Sequence, residues 1–164
     1  MVHGDLWINN LLVDENQTQV KFIDFQQMHP GHPSRDFWYY LYSCTDVEWR
    51  KLHLEEVMRT YFTHLLTYLK KAQMEVNFEA FRKEMNQFRE TGFLLAFIVL
   101  PIMLHPGIPS PPDLKTWKGF KQFYAWRDKI FSRPIKYNEH SMVKEINRRL
   151  LENIEEAFTL GLLK

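Results

Sequence analysis

The stretch His3-Gly4-Asp5-Leu6-Trp7-Ile8-Asn9-Asn10, followed by Ile23-Asp24-Phe25-Gln26, decides how the rest of this chain is read. Between the two lie the short apolar runs Leu11-Leu12-Val13 and Val20-Lys21-Phe22-Ile23, separated by the polar Asp14-Glu15-Asn16-Gln17-Thr18-Gln19. That pattern predicts a β-hairpin. Asn10 enters the first strand and Asp24 leaves the second, so antiparallel pairing returns both to one end. Phosphoryl transfer needs a carboxylate that orients and deprotonates the attacking hydroxyl, and oxygen ligands that hold Mg²⁺ on the nucleotide phosphates. Asp5 can supply the carboxylate. Mg²⁺ favours hard oxygen donors and keeps several waters, so one amide oxygen and one carboxylate suffice, and Asn10 and Asp24 are the candidates.

Working outward, Met28-His29-Pro30-Gly31-His32-Pro33-Ser34 is rich in turn formers, and everything beyond it reads as helix. From Asp46 to Lys71 the apolar Leu54, Val57, Met58, Tyr61, Phe62, Leu65, Leu66 and Leu69 recur at steps of three and four, the period of one helical face. Asp46 and Glu48 at its start and Lys70 and Lys71 at its end complement the helix dipole. A second helix is predicted from Phe78 to Leu104, with its second half apolar on every side and therefore central to the core. The proline-rich stretch 105–112 must be a surface loop. Further helices are predicted over Asp113–Phe131 and Asn138–Phe158, the last with Val143, Ile146, Leu150, Ile154 and Phe158 on one face.

Composition narrows the function classes. The 164 residues suit one domain, and 21 basic against 20 acidic residues give a net charge of +1, far from the excess that a nucleic-acid partner requires. Apolar residues make up 45%, enough for a core. The single cysteine, Cys44, cannot form an internal disulfide, and Met1 is followed by no charged and apolar leader, which points to a reducing, cytoplasmic setting. The longest apolar stretch, Phe93–Leu104, falls short of the roughly 18 residues that span a bilayer.

The pattern H-G-D-x-x-x-x-N with a following I-D-F-Q resembles the kinase-like phosphotransferases of small molecules, the group of aminoglycoside and choline kinases. With Arg35-Asp36-Phe37-Trp38-Tyr39-Tyr40 added, it is similar more narrowly to the ecdysteroid-kinase-like, or choline-kinase-like (CHK), family. The resemblance implies an ATP-dependent, Mg²⁺-requiring transferase acting on a hydroxyl of a steroid, choline or similar small alcohol. It implies Asp5 as catalytic base, Asn10 and Asp24 as metal ligands, Asp36 as a buried carboxylate bracing the catalytic loop, and His3 as a residue ordering that loop. Gln26 stands where protein kinases carry the glycine of D-F-G. The implied fold is α+β, mostly α: the C-terminal lobe of a protein-kinase-like fold, with the catalytic loop, hairpin and metal-binding segment in 1–45 and a helical bundle in 46–164.

A kinase of this kind also needs a nucleotide-binding lobe with a phosphate-covering loop and a lysine. The six glycines, at positions 4, 31, 92, 107, 119 and 161, are scattered and make no such loop. The chain is therefore expected to be a single partial domain that lacks its N-terminal lobe, inactive alone, and the rival reading is a non-catalytic binding or interaction protein. Among the remaining residues, Trp7 and Trp38 are candidates to line a substrate pocket, since aromatic faces offer apolar area and attract cations. The His29/His32 pair lacks further ligands for zinc and reads as ordinary loop. Lys70-Lys71 and Arg148-Arg149 read as solvated helix surface.

Overall fold

The computed structural model describes residues 1–104 and 141–163. The predicted proline-rich loop at 105–112, the helix over Asp113–Phe131 and the first residues of the last helix lie outside them.

The chain begins with a bridge between Val2 and His29, which exchange backbone hydrogen bonds and close residues 3–28 into one unit. Inside it, β1 (Leu11–Val13) and β2 (Val20–Phe22) pair antiparallel, with Leu11 opposite Phe22 and Val13 opposite Val20. The carboxylate of Asp14 ties the hairpin turn by accepting from the amides of Gln19 (2.5 Å) and Thr18 (2.6 Å) and from the Thr18 hydroxyl (2.8 Å). These bonds, that to Gln19 foremost, hold its carboxyl below the ordinary value. Short 3-10 turns, Ile8–Asn10 and Phe25–Gln27, flank the two strands. The strand residues Leu12, Val13, Val20 and Phe22 are each about half exposed.

Five α-helices follow among the described residues: α1 (Ser34–Cys44), α2 (Val47–Lys71), α3 (Phe78–Gln87), α4 (Arg89–Leu104) and α5 (Ser141–Thr159). The α+β, mostly helical class read from the sequence is the class observed. Asp46 caps α2 by accepting from the Trp49 amide (2.7 Å), and Asn77 caps α3 through the Ala80 amide (2.8 Å). α1 is the hub. Trp38, Tyr39, Leu41 and Tyr42 on it are buried, together with Met58, Phe62, Phe81, Met85, Phe93 and Ala96 from the helices around it. α4 crosses α1 so closely that a Cβ on Gly92 would overlap the Cβ of Trp38 and the backbone of Trp38 and Tyr39. No helix among the described residues is long and apolar enough to cross a membrane.

Several expectations are corrected. The single helix over Phe78–Leu104 is two helices that break at Phe88, whose backbone leaves helical geometry at φ −105° and ψ 11°. There the indole Nε1 of Trp38 donates to the carbonyl of Met85 (2.8 Å), and Phe88 N makes only a long bond of 3.4 Å to the same oxygen. A buried tryptophan demands a partner, and this one takes it from the last turn of α3. Nor is α4 central on every side: Phe93, Ala96 and Leu100 are buried, whereas Leu94, Phe97 and Ile98 are 38–49% exposed.

The face predicted for α5 is met at Leu150, which is buried, and at Ile154, which packs against the core, and departs from the expectation at Phe158. Leu150, Asn153 and Ala157 are buried and Phe158 is exposed. Arg148 is surface as expected, pairing with Glu145 and Glu152, but Arg149 turns inward and donates to the carbonyl of Ser43 (2.7 Å). Fully buried Arg50 donates to the carbonyls of Thr45 (2.6 Å) and Leu41 (3.3 Å), so two guanidiniums cap the negative end of α1.

Candidate functional site

The loop His3-Gly4-Asp5 is held by its backbone. The amides of His3 (2.6 Å) and Gly4 (3.0 Å) donate to the two oxygens of Asp36, in the first turn of α1. A carboxylate there also faces the positive end of the helix dipole. Asp36 is half-buried rather than fully enclosed. Gly4 has φ +84°, and a Cβ on it would overlap the carbonyl of Gln27, so a side chain is excluded both by conformation and by space. The imidazole of His3 is buried, with Nε2 donating to the carbonyl of Ile23 (2.8 Å) and the ring 4.9 Å from that of Phe25. His3 thereby ties the loop to the end of β2.

Both oxygens of Asp5 accept a hydrogen bond. The Tyr39 hydroxyl lies 3.2 Å from Oδ1, and Asn10 Nδ2 lies 3.3 Å from Oδ2 and 2.8 Å from the Asp5 carbonyl. Burial first, then the charge of Asp5, raises the ionisation of Tyr39 far above the ordinary phenol value. Tyr39, to which the sequence analysis gave no role beyond the Arg35–Tyr40 stretch, is the partner of Asp5 on α1. The available signal was its position three residues after Asp36, on the same face of α1.

Asn10 is buried and uses Nδ2 for both of its side-chain bonds, so its Oδ1 has no partner among the described residues. The Ile23 amide donates to the Asn10 carbonyl (3.0 Å), one step beyond the Leu11–Phe22 pair, and Asp24 follows at once. Asp24 is exposed and left-handed (φ 62°, ψ 59°), a conformation aspartate tolerates, and Gln26 Nε2 donates to its Oδ2 (3.2 Å). An amide oxygen and a solvent-facing carboxylate are the hard oxygen donors that a cation such as Mg²⁺ favours. Among the described residues no cluster of three or more His, Cys, Asp or Glu side chains forms a metal cage.

The remaining expectations are placed as follows. Trp7 (5% exposed) and Trp38 (0%), expected to line a substrate pocket, are buried in the core among the described residues. Trp38 spends its N–H on Met85, and the Arg89 guanidinium covers its ring at 4.4 Å. His29 and His32 serve different partners: Arg35 donates to His29 Nε2 (2.9 Å), while His32 Nε2 meets Glu84 (3.2 Å) and its Nδ1 meets the Ser34 hydroxyl (2.5 Å). Burial pushes the Cys44 thiol up, which keeps it protonated and unreactive. Surface grooves along α2, lined by Leu52, Arg59 and His64 or by Trp49, His53 and Tyr61, contain none of the loop residues.

Residues 1–74 match the sequence model of the ecdysteroid kinase-like family, the one that the three motifs resemble. No curated protein and no solved structure matches the chain. The matched region holds the loop, the hairpin, α1 and α2, hence every candidate site residue.

Proposed function

We propose that this chain carries the catalytic segment of an ATP-dependent phosphotransferase that phosphorylates a hydroxyl of a small alcohol, in the steroid or choline class. Asp5 orients the acceptor hydroxyl and takes its proton as the new O–P bond forms. The bond between the γ-phosphorus and the bridging oxygen breaks, and ADP leaves. Asn10 Oδ1 and Asp24 are the residues to hold Mg²⁺, which supplies charge neutralisation on the phosphates. His3, Gly4 and Asp36 keep the loop in place, and α1 anchors it to the helical core.

The observation that carries this reading is the pair of hydrogen bonds from Asn10 to Asp5, with Asp24 following Ile23, whose amide pairs with the Asn10 carbonyl. The match of residues 1–74 to a kinase-like family supports it. The test is to incubate the full-length protein with Mg²⁺, γ-labelled ATP and, separately, ecdysone, choline or an aminoglycoside. Label on an acceptor hydroxyl is the expected result. A protein that binds an acceptor but transfers no phosphate to any of them would favour a non-catalytic binding role.

A further inference from the structure

We infer that Tyr39 is the positioning residue for Asp5, so that α1 fixes not only the loop's backbone through Asp36 but also the orientation of its carboxylate. The inference rests on the reading of Asp5 as the base.

The geometry is asymmetric in a useful way. A carboxylate on a loop turns broadly about its last torsion, with two equivalent orientations. Here Oδ1 accepts from Tyr39 on α1 and Oδ2 from Asn10 at the hairpin's entry, two donors on separate elements. The Tyr39 ring is 2% exposed in the main core cluster, so its hydroxyl is placed by packing rather than by solvent. A buried phenol needs a partner, and Asp5 is the one it has among the described residues. Because burial and the nearby carboxylate oppose its ionisation, the phenol remains a donor at any working pH. Each Asp5 oxygen keeps a further lone pair, which leaves room for the acceptor hydroxyl. Two elements therefore hold one carboxylate in one orientation, which lowers the cost of reaching the reactive geometry.

The phenylalanine variant removes the hydroxyl and keeps the buried ring. In the full-length protein, with MgATP and whichever of ecdysone, choline or an aminoglycoside the parent phosphorylates, Tyr39→Phe should lower kcat roughly 10-fold, the effect of one hydrogen bond to a charged group. KM for ATP and acceptor should stay within about twofold, and the melting temperature within a few degrees. On an Asp5→Asn background the same change should cost nothing further, because the two residues act as one unit. In tyrosine-labelled protein, NMR should show a slowly exchanging Tyr39 hydroxyl proton whose shift moves in Asp5→Asn. A parental kcat in Tyr39→Phe, an equal loss on both backgrounds, or an unmoved hydroxyl signal overturns the proposal. Parental turnover by Asp5→Asn itself removes the base assignment, and with it this inference, whereas a crippled Asp5→Asn beside a fully active Tyr39→Phe removes Tyr39 alone.

Discussion

The amide of Ile23 donates to the carbonyl of Asn10 across 3.0 Å, one rung beyond the last paired residues of the hairpin. This bond fixes the spacing between Asn10 and Asp24, because Asp24 is the next residue and its left-handed backbone turns the chain into the Phe25–Gln27 turn. It is the physical content of the shared metal site proposed above.

The two proposed ligands should differ in weight. A carboxylate binds a hard cation more strongly than an amide, so Asp24→Ala in the full-length protein should raise the Mg²⁺ concentration for half-maximal activity by roughly 100-fold and Asn10→Ala by about 10-fold. Magnesium titrations in which both variants keep the parent's half-point would reject the shared site.

The helical core hangs on a buried ion cluster. Glu156 on α5 accepts from Arg50 through Oε2 (2.6 Å) and from Arg89 through Oε1 (2.8 Å), and Asn153 accepts from Arg50 (2.5 Å). Arg50 is 1% exposed, so removing its partner strands a charge in the interior. Glu156→Ala should cost about 3 to 5 kcal/mol of unfolding free energy in urea titrations. A cost under 1 kcal/mol, the size of a surface pair, would show that the cluster is not structural.

Alkaline pH should unfold the protein. Burial is the leading cause that raises Tyr39, Tyr40, Tyr42 and Tyr61 above the ordinary 10.0 and Cys44 above 9.0. The unfolded chain then releases protons that the folded one retains. Stability from these groups is fully present below pH 9, falls as pH rises past 9 and 10, and is lost through the raised folded values. Urea midpoints measured from pH 8 to 11 should drop steeply at the upper end, and a flat series would contradict the burial of these side chains.

Gly92 allows α4 to touch α1. Gly92→Ala places a methyl group on the Cβ and backbone of Trp38 and should destabilise by about 1 to 3 kcal/mol, although alanine is the better helix former. A more stable variant by thermal melting would mean that the crossing is looser than described.

The hairpin and α2 were legible because each rests on local rules: strand alternation, helical period, the Asp46 cap. What the sequence hid depends on distant partners. The break at Phe88 follows from Trp38 taking a carbonyl 47 residues away, and Arg50 meets Glu156 across 106 residues. Arg149 read as surface because charge usually is, yet α1's last carbonyls draw it in. Tyr39 drew no attention because its ring is buried in the core, and only its hydroxyl reaches Asp5. The burial of Trp7 and Trp38 was not legible either, since it depends on the helices that pack around them.

The central claim is that Asp5 takes the acceptor's proton. It is tested most directly by single-turnover phosphate transfer from MgATP, comparing the parental full-length protein with Asp5→Asn, an isosteric change that keeps an oxygen toward Tyr39. The account predicts a rate lower by roughly 10² to 10⁴, with KM for ATP within a few-fold of the parent. Transfer by Asp5→Asn at the parental rate would contradict it.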